Sequence, residues 1–480
     1  CAARPSAVVM TLDPDKAKVV ESVRKQLGPG VVVCILGSRE IGDSTTREIV
    51  EALARDVSAA LGAKVNFLTG GMTGVQETFA KHCSDGARIW NMLPVGQASN
   101  YGRGTDINVG ADLDERKEIF AHVGDLLICV GGGSGTSHEA GIAFGRGVGI
   151  LPLMRSGGAS SGDFEFPAEA LKKPTFATEE QWALLGRTDV PIAESVGAAA
   201  AIAGRFVELQ RDRETNHAVA EVRKDLNGKV CVCILGGTAF KNPASEELVK
   251  LIAGGLHRAL GAQAAYVTGG MAGIQETFAK HCGDGSQVWN LMHLGQSSGY
   301  GVGKDINFGT DLDHRKQIFA ALGDIYITVE GGPGVSFEAG SAFSRGAYVL
   351  PLMRTGGASG GMFEFPEGAL SKPVYVREQE WASLKNSEAP VAQTSSAVVD
   401  IVLASMKQLR LSRNKDVYVH AKSQVLDALR TLDSSGNGEI QEMQWAAFTR
   451  CACPSLTQKE CQLLLDASGA GRNRRVAYQE

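Results

Sequence analysis

An α/β fold is predicted for most of this chain: two tandem Rossmann-like domains, each built on a doubly wound parallel sheet, followed by a small all-α module. Three observations predict it. The text repeats at one fixed offset, apolar β-branched runs end in glycine turns and then give way to helical patterns, and the text beyond Asp416 lacks strand patterns. Strand, glycine turn and helix in alternation is the signature of a parallel sheet covered on both faces.

The repeat aligns Gly37 with Gly236, Trp90 with Trp289, Arg116 with Arg315, Glu139 with Glu338 and Met154 with Met353, a constant difference of 199 in residue number. Thr69 to Cys83 reads TGGMTGVQETFAKHC and Thr268 to Cys282 reads TGGMAGIQETFAKHC. A period this long is no solenoid, so each copy must hold its own core.

In the first copy, Val31 to Leu36 reads as a buried strand ending at Gly37, and about Thr45 to Leu61 as a helix with Ser44 as N-cap. Lys64 to Thr69 is the next strand, closed by Gly70 and Gly71, with a helix from near Val75. Ile89 to Leu93 is a third strand, Leu113 to His122 a helix, Asp125 to Val130 a fourth strand, Ser137 to Gly145 a helix and Val148 to Leu153 a fifth strand. Charged helical text from Arg205 to Lys224 joins the copies as a surface connector. The expected division is an N-terminal extension over 1–27, a first copy over 28–210, a linker over 211–227, a second copy over 228–408 and the helical module over 409–480.

Bulk properties exclude several classes. At 480 residues a prior of roughly 150 per domain suggests about three domains. Hydrophobic residues make up 44% and charged residues 21%, as in ordinary globular proteins. A net charge of -5 offers no field for a nucleic-acid backbone, and no apolar run is long enough to span a membrane. Cysteines at strand positions such as Cys34, Cys129, Cys231 and Cys233 suit a reduced, cytoplasmic protein, although the chain starts without Met and a targeting segment could precede it. His82-Cys83 and His281-Cys282 recur without further ligands at metal spacing, which favours a packed helix face over zinc. No GxxxxGK[ST] run of a P-loop occurs.

Open parallel sheets bind ligands outside the carboxyl ends of their strands, where glycine admits the backbone and helix N-termini offer N–H groups to anions. Three turns fall there in the first copy: Gly37-Ser38-Arg39, Gly70-Gly71-Met72-Thr73-Gly74, and Gly131-Gly132-Gly133-Ser134-Gly135-Thr136. The third sets a hydroxyl beside a row of backbone donors, a nest for phosphate. Glu139, one turn further on, faces the same pocket. A carboxylate there hinders simple phosphate binding but suits a ribose hydroxyl or a glycosidic carbon that becomes cationic; the alternative is a helix-start Glu favoured by the macrodipole. Arg116 and Lys117 lie on the preceding helix, with a surface charge cluster as their alternative.

Gly131 to Glu139 (GGGSGTSHE) resembles the PGGxGTxxE motif of the LOG (lonely guy) phosphoribohydrolases, and Leu113 to Lys117 (LDERK) resembles their MxERK element. The spacing from Arg116 to Glu139 and the Gly70 to Gly74 turn are similar too. The resemblance implies that Arg116 and Glu139 are the catalytic pair for hydrolysing the N-glycosidic bond of a nucleoside 5′-monophosphate such as AMP or a cytokinin nucleotide. Base and ribose 5-phosphate are then the products, with no cofactor required. It implies phosphate and nucleotide contacts from Gly37, Ser38, Arg39, Gly70, Gly71, Gly74, Lys117, Gly132, Gly133, Ser134, Gly135 and Thr136, and an intrachain pseudo-dimer of the two copies. The second copy keeps Arg315 and Glu338 as a catalytic pair and Gly236, Gly237, Gly269, Gly270, Gly331, Gly332 and Gly334 as binding glycines. It departs at Glu330, Val335 and Thr238, where the first copy has Gly131, Thr136 and Arg39, so it ranks below the first.

Asp433 to Gln444 has the layout of an EF-hand calcium loop, with oxygen ligands Asp433, Ser435 and Asn437, Glu439 at the carbonyl position, then Gln441 and finally Gln444 where a bidentate Glu belongs. Weak calcium binding is expected, and the loop from Asp466 is read as a non-binding partner. Two function classes follow: a LOG-like hydrolase modulated by calcium, and a non-catalytic nucleotide sensor whose EF-hand-like tail binds calcium or acts as an adaptor.

Overall fold

A computed structural model of the chain describes residues 12–84, 86–433, 439–441, 444–445, 448 and 475–477. The first copy runs α1 (Pro14–Leu27), β1 (Val31–Gly37), α2 (Ser44–Leu61), β2 (Val65–Thr69), α3 (Val75–His82), β3 (Arg88–Leu93), β4 (Thr105–Asn108), α4 (Leu113–Val123), β5 (Leu126–Val130), α5 (Ser134–Gly145), β6 (Gly149–Leu153), α6 (Glu179–Leu184) and α7 (Ile192–Asp225). The second repeats it as β7 (Val230–Gly236), α8 (Ser245–Leu260), β8 (Ala264–Thr268), α9 (Ile274–His281), β9 (Val288–Met292), β10 (Lys304–Asn307), α10 (Leu312–Leu322), β11 (Ile325–Val329), α11 (Pro333–Ser344), β12 (Tyr348–Leu352), α12 (Glu378–Lys385) and α13 (Val391–Leu432). A short antiparallel pair, β13 (Glu439–Gln441) and β14 (Arg475–Ala477), follows.

Each copy forms a six-stranded sheet, in the orders β4-β3-β2-β1-β5-β6 and β10-β9-β8-β7-β11-β12, with parallel pairings throughout. The chain builds outward from β1 on one side and then returns to add β5 and β6 on the other. The switch point thus lies between β1 and β5, whose carboxyl ends are Gly37 and Val130.

Central strands are apolar on both faces because helices cover both. Val31, Val33 and Ile35 pack with Ile49 and Val50 of α2, Phe79 of α3 and Val196 of α7. Val32, Cys34 and Leu36 face Val23 of α1, Ile119 and Phe120 of α4 and Ala140 of α5. Cys83 is packed in the first of these cores, and the His82 ring Nδ1 meets the Thr78 carbonyl at 2.8 Å, as a packed helix face requires.

Two expected boundaries need correction. The segment over 1–27 includes α1, whose Val23 and Leu27 are buried, and Arg24 pairs with both carboxylate oxygens of Asp125 at 2.9 and 2.6 Å. The linker over 211–227 is the second copy's equivalent of α1: Ala218, Val222 and Leu226 are in that copy's core, and Arg223 forks onto Asp324 at 2.8 and 3.0 Å. One continuous helix of 34 residues, α7, therefore closes the first domain with its amino half and opens the second with its carboxyl half. Likewise α13 runs through position 409 without a break.

Local details also shift. Asp43, not Ser44, caps α2, its Oδ1 accepting from Thr46 N at 2.7 Å. Helix α5 starts at Ser134, three residues earlier than expected, and β4 is an added edge strand with only Ile107 buried. No helix among the described residues is long and apolar enough to cross a membrane.

Candidate nucleotide site

Three loops meet at the switch point of the first sheet and enclose a cavity of about 320 Å³. Gly37, Ser38 and Arg39 line it from the end of β1; Gly133, Ser134, Gly135 and Thr136 line it from the start of α5; Arg116 and Lys117 enter from α4, and Glu139 from α5. Gly70, Gly71, Gly74 and Gly132 shape this wall from behind. Their role is close approach: a Cβ on Gly70 would lie 2.6 Å from Arg116 Nη2, and one on Gly132, where φ is +95, would lie 2.5 Å from Thr136 Oγ1.

The loops hold one another. Ser38 Oγ accepts from Gly132 N at 2.8 Å, and Gly131 N donates to Ser156 Oγ at 2.7 Å. Helix α5 has Gly133 as N-cap and no side-chain cap, so its first turn presents backbone N–H groups to the cavity, an arrangement suited to an anion.

Arg116 and Glu139 are brought together. Arg116 Nη1 donates to Glu139 Oε1 at 2.7 Å, Nη2 donates to the Gly70 carbonyl at 3.0 Å, and the guanidinium stacks over Phe120 with its Cζ 5.5 Å from the ring centroid. Both side chains are buried, at 2% and 7% exposure. Arg116 Nε is buried without a hydrogen-bond partner, leaving one donor unused. Burial pushes the Glu139 carboxyl up to about 7, against the opposing pull of Arg116 and Lys117. The same burial lowers the Arg116 guanidinium, with Glu139 offsetting part of the effect.

Met72 and Gln76 also line the cavity, and neither was anticipated from the sequence. Gln76 Oε1 accepts from Gly70 N at 2.9 Å and Met72 N at 3.1 Å. Two N–H donors on one side of the amide fix that atom as oxygen, so the amide's NH2 is the other end. Gln76 and Arg116 therefore grip the two sides of the Gly70 peptide, and Tyr101 donates to the Met72 carbonyl to hold the turn from outside. The signal available was the repeated text GVQETFAKHC and GIQETFAKHC, which keeps a polar Gln on a buried helix face.

The second copy keeps the framework. Arg315 Nη1 donates to Glu338 Oε1 at 2.9 Å, both are buried, and Gln275 Oε1 accepts from Gly269 N at 2.8 Å and Met271 N at 3.2 Å. Burial likewise pushes the Glu338 carboxyl up to about 7. Glu330 departs. It adopts a left-handed φ of +53 where Gly131 has +59, is 2% exposed, and accepts from Lys241 N at 2.9 Å and Asn242 N at 3.0 Å.

In the tail, Ile440 pairs with Val476 across the β13–β14 ladder. Gln444 uses both ends of its amide within the protein: Oε1 accepts from Gln441 N and Nε2 donates to the Leu432 carbonyl, each at 2.9 Å. Asp433 is buried, while the candidate ligands Ser435 and Asn437 lie outside the described residues. Among the described residues no cluster of three or more His, Cys, Asp or Glu could hold a metal.

No curated protein matches the chain. Among solved structures, the structural-genomics target TM1055 is 23% identical over 27% of this chain and 78% of its own, with a TM-score of 0.25. The molybdenum cofactor binding protein from the phototrophic bacterium Rippkaea orientalis is 20% identical over 25% of this chain and 75% of its own, with a TM-score of 0.22. S. aureus MnaA with UDP is 10% identical over 79% of this chain and 97% of its own, with a TM-score of 0.20. Residues 30–178 match the model of the SLOG cluster4 family, so the first copy is similar to that family over this stretch.

Proposed function

We propose that the first copy hydrolyses the N-glycosidic bond of a nucleoside 5′-monophosphate, releasing the base and ribose 5-phosphate. The observation that supports this reading most is the buried Arg116–Glu139 pair, 2.7 Å apart, one helical turn beyond an uncapped helix N-terminus. A 5′-phosphate at that N-terminus would accept from the backbone N–H groups and from Thr136 and Arg39. Its ribose would then extend over Glu139 and Arg116. As the glycosidic bond breaks, positive charge grows on the anomeric carbon, and the Glu139 carboxylate stabilises it or takes the proton of the attacking water. A carboxyl poised near neutrality suits either task. Arg116 keeps the carboxylate oriented and supplies donors to the sugar oxygens.

A second reading has its own support. The altered second copy, and a tail whose Gln444 closes its loop by protein hydrogen bonds, favour a nucleotide sensor with a helical adaptor. Gln444 carries no charge, and its amide is engaged by Gln441 N and the Leu432 carbonyl, so it offers a cation less than the bidentate Glu of a calcium loop would.

Incubation with AMP and with isopentenyladenosine monophosphate, followed by assay of free base, separates the two. Release that is lost in Glu139→Gln while nucleotide binding persists supports the hydrolase. Tight binding with no release supports the sensor and sinks the hydrolase.

A further inference from the structure

The differences between the two sites are not scattered. Set position by position, the second copy replaces Ser38 by Gly237, Arg39 by Thr238, Ser134 by Pro333 and Thr136 by Val335. Three hydroxyls, one cation and one backbone N–H are lost, the last because Pro333 at the first position of α11 has none, and Thr238 brings one hydroxyl in. All four lie where the first copy would hold phosphate. Glu330 then adds a carboxylate, whose Oε2 lies 3.7 Å from the place a Cβ on Gly237 would occupy. The exchange of Arg39 for Thr238 and of Gly131 for Glu330 removes a cation and adds an acid, while the same loop trades Glu40 for Ala239, Gly42 for Lys241 and Asp43 for Asn242, so this end changes its set of donors and does not become more negative in net charge. The sugar-facing end is untouched: the Arg315–Glu338 pair, the Gln275 grip on Gly269 and Met271, and the Tyr300 clamp on the Met271 carbonyl are all present.

We propose that the second site takes an uncharged nucleoside, a ribosylated base without the 5′-phosphate, while the first takes the monophosphate; this rests on the nucleotide reading of the first site. Each lost donor to a charged group weakens binding by roughly ten- to a hundredfold, so AMP should bind the second site at least ~100-fold more weakly than it binds the first.

Calorimetric titration of the full chain with AMP and adenosine tests this. One AMP is expected per chain, and adenosine should bind once more with AMP saturating. Glu338→Gln should weaken only the adenosine event. The fivefold variant G237S, T238R, E330G, P333S and V335T, which copies the first site, should raise AMP stoichiometry to two. Two AMP per wild-type chain, or one AMP with no further adenosine, overturns the proposal. Absence of AMP binding at either site sinks instead the nucleotide reading on which it rests.

Discussion

The two copies share a framework and differ in the side chains at the loop after the first strand and at the N-terminus of the helix that carries the glutamate. In both, a buried Arg–Glu pair faces a glycine turn held by a glutamine. In the first, the loop after β5 turns at Gly131 and is tied to Ser38 and Ser156. In the second, the same left-handed turn is made by Glu330, which exploits a backbone of unfavourable φ to bury a carboxylate against Lys241 N and Asn242 N. A non-glycine residue there costs on the order of 1 kcal/mol, and two hydrogen bonds to a charged group offset it. The lesson is that the side chains around the turn after the central strand and the following helix N-terminus change between the copies without moving the ion pair.

The largest expected effect falls on the pair itself. If the first copy turns over substrate and the second does not, Glu139→Gln lowers base release by ~10²–10⁴-fold, the usual contribution of a positioned acid or base. Glu338→Gln should cost less than about half of the activity, with the same assay. Equal losses in the two variants would break the comparison by making the second copy a full catalytic partner.

Acidity offers the next test. Glu139 and Glu338 both sit at about 7 in the folded chain, above the ordinary carboxylate value of 4.5. A raised carboxyl binds more protons folded than unfolded, so its contribution to stability is full below about 4.5 and is lost as pH rises through about 7. The double variant E139Q E338Q lacks this titration. Its unfolding free energy should therefore gain on that of the wild type as pH rises from 5 to 8, by at most about 3 kcal/mol per carboxyl, read from denaturant unfolding at each pH. A difference independent of pH would show that the carboxyls are not desolvated.

Much of this was legible in the sequence because it depends on local pattern. Apolar runs ending in glycine place the strands and turns, and the spacing of Arg116 and Glu139 brings them together once α4 and α5 pack side by side. What was missed depends on tertiary context. Strand β4 is short and buries one side chain, so Thr105 to Asn108 shows no periodicity. The carboxyl half of α7 reads as a charged connector, because only Ala218, Val222 and Leu226 reveal that it has a core to face. Helix α5 begins inside the glycine run since Gly135 is tolerated where the N–H groups are wanted. Gln76 was marked only by its recurrence in both copies, because its partners are backbone N–H groups, which no side-chain pattern records.

Thr136→Val separates the two ends of the first site. It removes the hydroxyl that Val335 already lacks, and should raise the KM for AMP by ~10-fold with kcat little changed, since the group serves phosphate in ground and transition states alike. A fall in kcat at constant KM would place Thr136 with the reacting sugar and erase the separation inferred from the two copies.

The smallest effect tests the shared framework. Gln76→Leu and Gln275→Leu each leave two backbone N–H groups of a glycine turn without their acceptor, and each should destabilise its own domain by about 1 kcal/mol in denaturant unfolding. Gln76→Glu and Gln275→Glu keep an acceptor in place and should restore the turn. Rescue in both copies marks the glutamine as part of the scaffold. Rescue of stability in the first copy without rescue of base release would show that the amide NH2 of Gln76 also serves the ligand, because the glutamate retains the oxygen that the turn needs and removes only the donor at the other end.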